Sequence, residues 1–333
     1  MGLVAVAIMT RYLGQAGFGD YITIVTFLSF FAVVADLGLT LVTTQLISLP
    51  NADQNKILGN LLSIRLVTAI IFLGLAPAVV LFFPYSTEIK IGVAIMLFSF
   101  LFTALSQVFV GLFQKNLRMD KVSWAEMSSR AVLVLGAAMS QRYDWGLMGL
   151  AYATTFSSAV SFLLHYFFSF KYAHVKLLFD KDLWLKIFKY SWPLALTIVF
   201  NLIYLRADTL ILSLLKSSNE VGIYGAAYKV IDVLVTIPYM FAGIILPLLT
   251  HSWATGDKEK FKKIMQRSID IMCIMVMPMI FGTQFIAKKM MVLVAGEEFG
   301  ISGPVLQILI IAVGLLFVSC MFSHAIIAIE KQK

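Results

Sequence analysis

Nine ionisable residues stand inside long apolar stretches of this chain: Asp36, Arg65, Glu126, Arg130, Arg206, Asp208, Lys229, Asp232 and Asp270. A charge at the centre of a bilayer costs about 2.5–3.5 kcal/mol on insertion scales, so such residues face a partner or a wet cavity. Arg206 and Lys229 each lie nine residues from an end of the short connection 215–220. At helical rise both sit about 13 Å deep, on the two arms of a hairpin. Two cations at matched depth suit a pyrophosphate and acidic sugars, and arginine adds bidentate contacts to phosphate. Asp208 and Asp232 lie at similar depth, so plain cross-hairpin ion pairing is the competing reading.

Three further features belong to the same set. Arg65 sits near the start of its helix, placed to receive a lipid pyrophosphate or to reach headgroups by snorkelling. Asp36 is about 24 Å along its helix and precedes Gly38. It reads as a proton- or sodium-coupling carboxylate, or as a residue bonding backbone at a bend. Glu126 and Arg130 have i, i+4 spacing and pair on one helix face.

The elements that carry these charges are helices. The 333 residues are 60% hydrophobic and only 13% charged, with mean hydropathy +0.90. Nine stretches reach the roughly 20 residues that a transmembrane helix needs. They fall near 20–48, 60–83, 91–114, 122–140, 145–170, 191–215, 221–249, 268–287 and 304–329. Strands in a lipid-exposed barrel would alternate in polarity over about ten residues, and these do not. The expected fold is an all-α integral membrane bundle. Residues 1–9 are apolar but too short to span and lack a signal-peptide pattern, so they read as the stub of a preceding helix. The chain also stops directly after its last span, and the expectation is a fragment truncated at both ends.

Orientation follows from Lys and Arg. One set of connections holds sixteen: Lys56; Lys115, Arg118 and Lys121; Lys171, Lys176, Lys181, Lys186 and Lys189; Lys258, Lys260, Lys262, Lys263 and Arg267; Lys331 and Lys333. The other holds six: Arg11, Lys90, Arg142, Lys216, Lys288 and Lys289. The richer side is cytoplasmic by the positive-inside rule. The net charge of +8 therefore reports topology and anionic lipid, not nucleic acid. Cys273 and Cys320 lie in spans, and the four histidines lack ligand spacing, so no metal or other cofactor is expected. There is no nucleophile elbow, dinucleotide fingerprint, Walker sequence or HExxH, which points away from an enzyme.

Two blocks are separated by the basic connection 171–189, giving lobes over 1–170 and 190–333. Within the connection Leu183, Trp184, Ile187 and Phe188 share a face, as in an interfacial helix. The blocks share a short repeat. Gly17-Phe-Gly-Asp-Tyr21 and Glu220-Val-Gly-Ile-Tyr224 each head a span, with an offset of 203 residues at both Gly19/Gly222 and Tyr21/Tyr224. Parallel repeats of this kind mark transporters whose substrate site lies between halves.

Two motif clusters carry a family resemblance. Thr10-Arg-Tyr-Leu-Gly-Gln-Ala-Gly-Phe-Gly-Asp-Tyr21 with Ala35-Asp-Leu-Gly-Leu39 forms the first. Arg206-Ala-Asp-Thr-Leu-Ile-Leu212 with Glu220-Val-Gly-Ile-Tyr-Gly-Ala-Ala227 and Pro247 forms the second. Together they resemble the O-antigen-type polysaccharide-biosynthesis flippases of the multidrug/oligosaccharidyl-lipid/polysaccharide exporter superfamily. The resemblance implies two pseudo-symmetric six-helix lobes, of which this chain would hold helices two to ten and a stub of the first. It also implies a substrate, undecaprenyl-pyrophosphate-linked oligosaccharide, flipped to the outer leaflet of the inner (plasma) membrane. Membrane lipids, a polysaccharide polymerase and chain-length machinery would be the partners. On this reading Arg65, Arg206 and Lys229 meet the substrate. Asp36, Asp208, Asp232, Glu126 and Arg130 couple ions or pair charges.

Two other functions stay open. A multidrug or cation antiporter of the same superfamily would want an acidic, cation-poor cavity. A membrane polymerase or ligase would want a sizeable outer loop, and the longest outer connection, 288–303, has about fifteen residues.

Overall fold

In the computed structural model, which describes residues 2–47, 53–173 and 175–329, the chain is a series of helices joined by short connections. The first helix, α1 (Gly2–Asp36), contains a break at Gly14, with φ 65° and ψ −171°. That backbone state favours glycine, and it separates the expected stub from the span that follows. The expected span 20–48 is itself divided. Leu37 (φ 47°) and Gly38 (φ 75°) end α1, and α2 (Leu39–Ile47) starts afresh. Gly38 is needed twice over, because a Cβ there would also lie 2.8 Å from the Ser191 carbonyl oxygen.

Local sequence sets the next boundaries. Helix α3 (Gln54–Val79) starts at Asp53, whose side chain accepts from the Lys56 amide, and ends in a 3₁₀ turn, Val80–Phe82. Helix α4 (Thr87–Lys115) starts at Ser86, which accepts from the Ile89 amide. Such caps satisfy amides that no intrahelical carbonyl can reach. Two tight turns then fold α5 (Met119–Tyr143) and α6 (Gly146–Ser169) back antiparallel, with Leu117 and Asp144 left-handed.

Serines hold these helices together where lipid gives no hydrophobic drive. Ser129 and Ser157 exchange hydroxyl-to-carbonyl bonds of 3.0 and 2.7 Å between α5 and α6. Ser99 and Ser158 join α4 to α6 at 2.7 Å.

The amphipathic stretch in 171–189 is not a separate element. Helix α7 (Lys181–Leu215) begins there and runs on without interruption. Its Ile187 is fully buried, with Leu183, Trp184 and Phe188 packed on the core formed by α2, α3 and α4. The chain completes with α8 (Ser218–Ala254), α9 (Lys258–Ala295), a 3₁₀ turn (Glu297–Ser302) and α10 (Gly303–Ala328).

Among the described residues, eight helical segments rather than the expected nine are long and apolar enough to cross a membrane. Helix α5 falls short, since Glu126, Arg130 and several serines dilute its apolar residues. Contacts divide the chain into two compact units, residues 1–222 and 223–333. The first includes α7, which packs on α1, α2 and α3. In the second, Gln284 of α9 and Gln307 of α10 donate to each other's carbonyls at 3.2 and 2.7 Å.

The repeated glycines meet. A Cβ on Gly19 would collide with the Ser218 carbonyl, and one on Gly222 with the Gln15 carbonyl. Thus α1 and the first turn of α8 touch backbone to backbone. Beside them Ser218 Oγ donates to Asp20 Oδ1 at 2.5 Å. Gly19→Leu should therefore cost about 1–3 kcal/mol of stability through overpacking. Gly74→Ala, where a Cβ meets open space, should be neutral or stabilising. Thermal unfolding in detergent compares them, and equal midpoints would refute the close approach.

Candidate functional site

The break at Leu37–Gly38 places two polar side chains in one corner. Asp36 is the last residue of α1, and Thr40 lies in the first turn of α2. Thr40 Oγ1 donates to Asp36 Oδ1 at 2.6 Å, so the carboxylate bonds across the break. Opposite them, Arg65 projects from α3. Its Nη2 donates to Asp36 Oδ1 at 2.8 Å and to Thr40 Oγ1 at 2.7 Å. Its Nη1 donates to the Ala104 carbonyl of α4 at 2.8 Å. Nearby, Thr68 Oγ1 donates to the Ala35 carbonyl at 2.8 Å. One guanidinium thus ties together the elements α1, α2, α3 and α4.

Burial makes this arrangement costly and specific. Arg65 is 2% exposed, among apolar neighbours such as Leu39, Ile64 and Leu105, whereas the Asp36 side chain keeps 18% exposure. Within the described residues Arg65 Nε is buried without a hydrogen-bond partner, which leaves donor capacity in the site. The expectation of a guanidinium reaching out to headgroups is corrected, since the side chain turns inward to its counter-ion. Depth explains the pairing. Asp36 closes α1 and Arg65 lies on α3, and the two helices bring them to one level, 2.8 Å apart.

The other candidates are placed more loosely. Glu126 and Arg130 stand 4.0 Å apart on α5, each about half exposed. Asp208 on α7 accepts from the backbone amide and hydroxyl of Thr209 at 2.6 and 3.3 Å. Arg206 is half-buried on the same helix, in the first unit. Lys229 and Asp232 pair at 3.6 Å on α8, in the second unit. Thr40 is the site residue that charge-based reading overlooks. Its signal was the i, i+4 spacing from Asp36 across a glycine.

Outside the spans, ion pairs fix the basic connections. Arg118 grips Asp120 through Nε and Nη2 at 2.8 and 2.9 Å, which holds the Asp120 carboxyl down at about 2. Lys56 lies 2.7 Å from Asp180. That hydrogen bond, helped by the Leu183 amide, lowers the Asp180 pKa. The sign follows from linkage. A depressed carboxyl stabilises the fold at neutral pH and loses that contribution only as pH falls through its folded value.

Breaking one side of the buried pair should be far worse than removing both. Asp36→Leu leaves an uncompensated guanidinium and should destabilise by about 3–5 kcal/mol. The double variant Asp36→Leu/Arg65→Met should recover much of that loss. Unfolding midpoints of the two variants test this, and a double variant as unstable as the single would refute the pairing energetics.

Comparison with known proteins agrees with this architecture. A family model described as polysaccharide biosynthesis protein matches residues 1–253. A probable low-salt glycan biosynthesis flippase, Agl15 of Haloferax volcanii, is 24% identical over 123 residues. That match takes in 37% of this chain and about a quarter, 26%, of the relative's length. Among solved structures, the lipid II flippase MurJ in an inward closed conformation superposes with TM-score 0.81 at 15% identity. It covers 100% of this chain and 74% of that one. An inward-facing multidrug resistance transporter of the MATE family, in the MOP superfamily, gives TM-score 0.78 at 15% identity, covering 98% and 80%. These likenesses establish the MATE/MurJ-type fold, and the family match extends over most of the sequence: the chain belongs to the polysaccharide biosynthesis protein family.

Proposed function

We propose that the protein flips polyprenyl-pyrophosphate-linked oligosaccharide from the cytoplasmic to the outer leaflet by alternating access. The observation that carries this reading is the buried Arg65, held by a partly exposed carboxylate at a helix break. Asp36 is the anion that the Arg65 guanidinium contacts. A pyrophosphate offers the same charge with more acceptor oxygens, so it can take over that role when α2 shifts about Gly38. Arg206 on α7 and Lys229 on α8 add positive charge for the diphosphate and acidic sugars. Asp208, Asp232, Glu126 and Arg130 balance charge within the helices. The membrane is the plasma membrane, with the basic connections cytoplasmic, and polysaccharide polymerase and chain-length machinery act next on the product.

A second reading rests on the same corner. If Asp36 trades Arg65 for a proton or sodium ion, the site would serve a multidrug or cation antiporter, consistent with the fold shared with a multidrug transporter. A polymerase or ligase has less support. Helices α9 and α10 extend so far that only 296–302 separates them, which leaves little room for a catalytic outer loop there.

Deleting the full-length gene in its host, with complementation by wild type, Arg65→Ala or Arg206→Ala, tests the two readings together. The flippase reading expects lipid-linked precursor to accumulate, surface polysaccharide to fall severalfold and drug tolerance to stay unchanged, with neither variant restoring export when its membrane level is matched to wild type. Full export by both variants would void the site assignment. Normal polysaccharide with heightened drug sensitivity in the deletion strain would overturn the flippase reading in favour of the antiporter.

A further inference from the structure

The first unit contains an apolar groove of about 440 Å³, lined by Leu62 and Leu66 of α3, Leu105 of α4, and Phe162 and Tyr166 of α6, with the connection around Lys176 across one end. We propose that this groove binds one fatty chain of an anionic phospholipid from the cytoplasmic leaflet, with the lipid phosphate meeting the Lys176 ammonium. The proposal stands apart from the transported substrate and holds for either transport reading.

The connection is built to stay over the groove. A Cβ on Gly59 would collide with the Lys176 carbonyl, so the strap lies directly on bare helix backbone. Just beyond it, the fully buried Asn60 accepts through Oδ1 from the Asp180 amide at 2.7 Å and from Trp184 Nε1 at 3.0 Å. Lys56 and Asp180 add an ion pair at 2.7 Å. Main-chain contacts thereby fix where residue 176 sits, while its side chain remains exposed. A lysine fastened at the mouth of an apolar groove selects a ligand with a chain and a negative head.

Size limits the ligands that fit this description. A groove of about 440 Å³ is near the low end of sites that hold drug-sized molecules, room for one apolar chain segment. Five of the eight lining residues are leucine, valine or phenylalanine away from the rim, with Tyr166 the one wall residue that carries a hydroxyl. The groove also adjoins the buried pair. Leu62 and Leu66 bracket Arg65 on α3, and Leu105 follows Ala104, whose carbonyl bonds Arg65. A bound chain braces the wall that carries this bond.

The test is native mass spectrometry and thermal unfolding of the purified chain, titrated with phosphatidylglycerol, phosphatidylcholine or a polyprenyl phosphate. The expected result is tight retention of phosphatidylglycerol by wild type, with a midpoint raised by several degrees and little response to phosphatidylcholine. Lys176→Glu, at an exposed position, should lose the preference at least tenfold. Leu66→Trp should fill the groove and lose binding. Should that variant fold poorly, Leu177→Glu at the exposed rim should give the same loss. Equal retention of both phospholipids by wild type, or an unchanged preference in Lys176→Glu, would overturn the proposal. Displacement of phosphatidylglycerol by polyprenyl phosphate at equal concentration would assign the groove to the export substrate and overturn it too.

Discussion

A guanidinium buried among leucines is tolerable only while every strong partner it needs stays in place, and that constraint organises the first unit. Arg65 draws its charge partner from the end of α1, a hydroxyl from the start of α2 and a carbonyl from α4. None of these groups would converge if α1 ran on unbroken into α2. The left-handed pair Leu37 and Gly38 is thus the geometric condition for the ion pair, and the ion pair is the energetic reason for keeping the break. Desolvation and Coulomb attraction nearly cancel in such a pair, so its worth lies in specificity of arrangement more than in net stability.

The same corner gives the family membership a physical content. A polar joint between a long helix and the short α2 can take two arrangements more readily than a jigsaw of packed side chains. Asp36 is the member of the pair that keeps contact with the surroundings, whereas Arg65 is sealed.

Much of the fold was legible in the sequence because membrane helices are written in hydropathy. Nearly every long helix lies where an apolar run placed it, and the repeated glycines marked a real contact. What failed were features that hydropathy averages away. A bend at Asp36 and Gly38 was one of two open readings of that carboxylate, but the full division into α1 and α2 lies inside an apolar run and has no hydrophobic signature. The amphipathic start of α7 looked like a surface helix because its apolar face binds protein, a destination that periodicity alone does not reveal. The partnership of Asp36 with Arg65 was hidden by a different cause. Residues 29 positions apart, on α1 and α3 with α2 between them, come level only when both helices are measured from the same side.

One helix carries a consequence for how the protein is made. Short connections at 116–118 and 144–145 hold α5 beside α4 and α6, yet α5 lacks the apolar content of those neighbours. Insertion machinery that released each segment singly into lipid would leave Glu126 and Arg130 stranded. Ser129 and Ser157 join α5 to α6, so the pair hides backbone carbonyls and hydroxyls that α5 alone would expose.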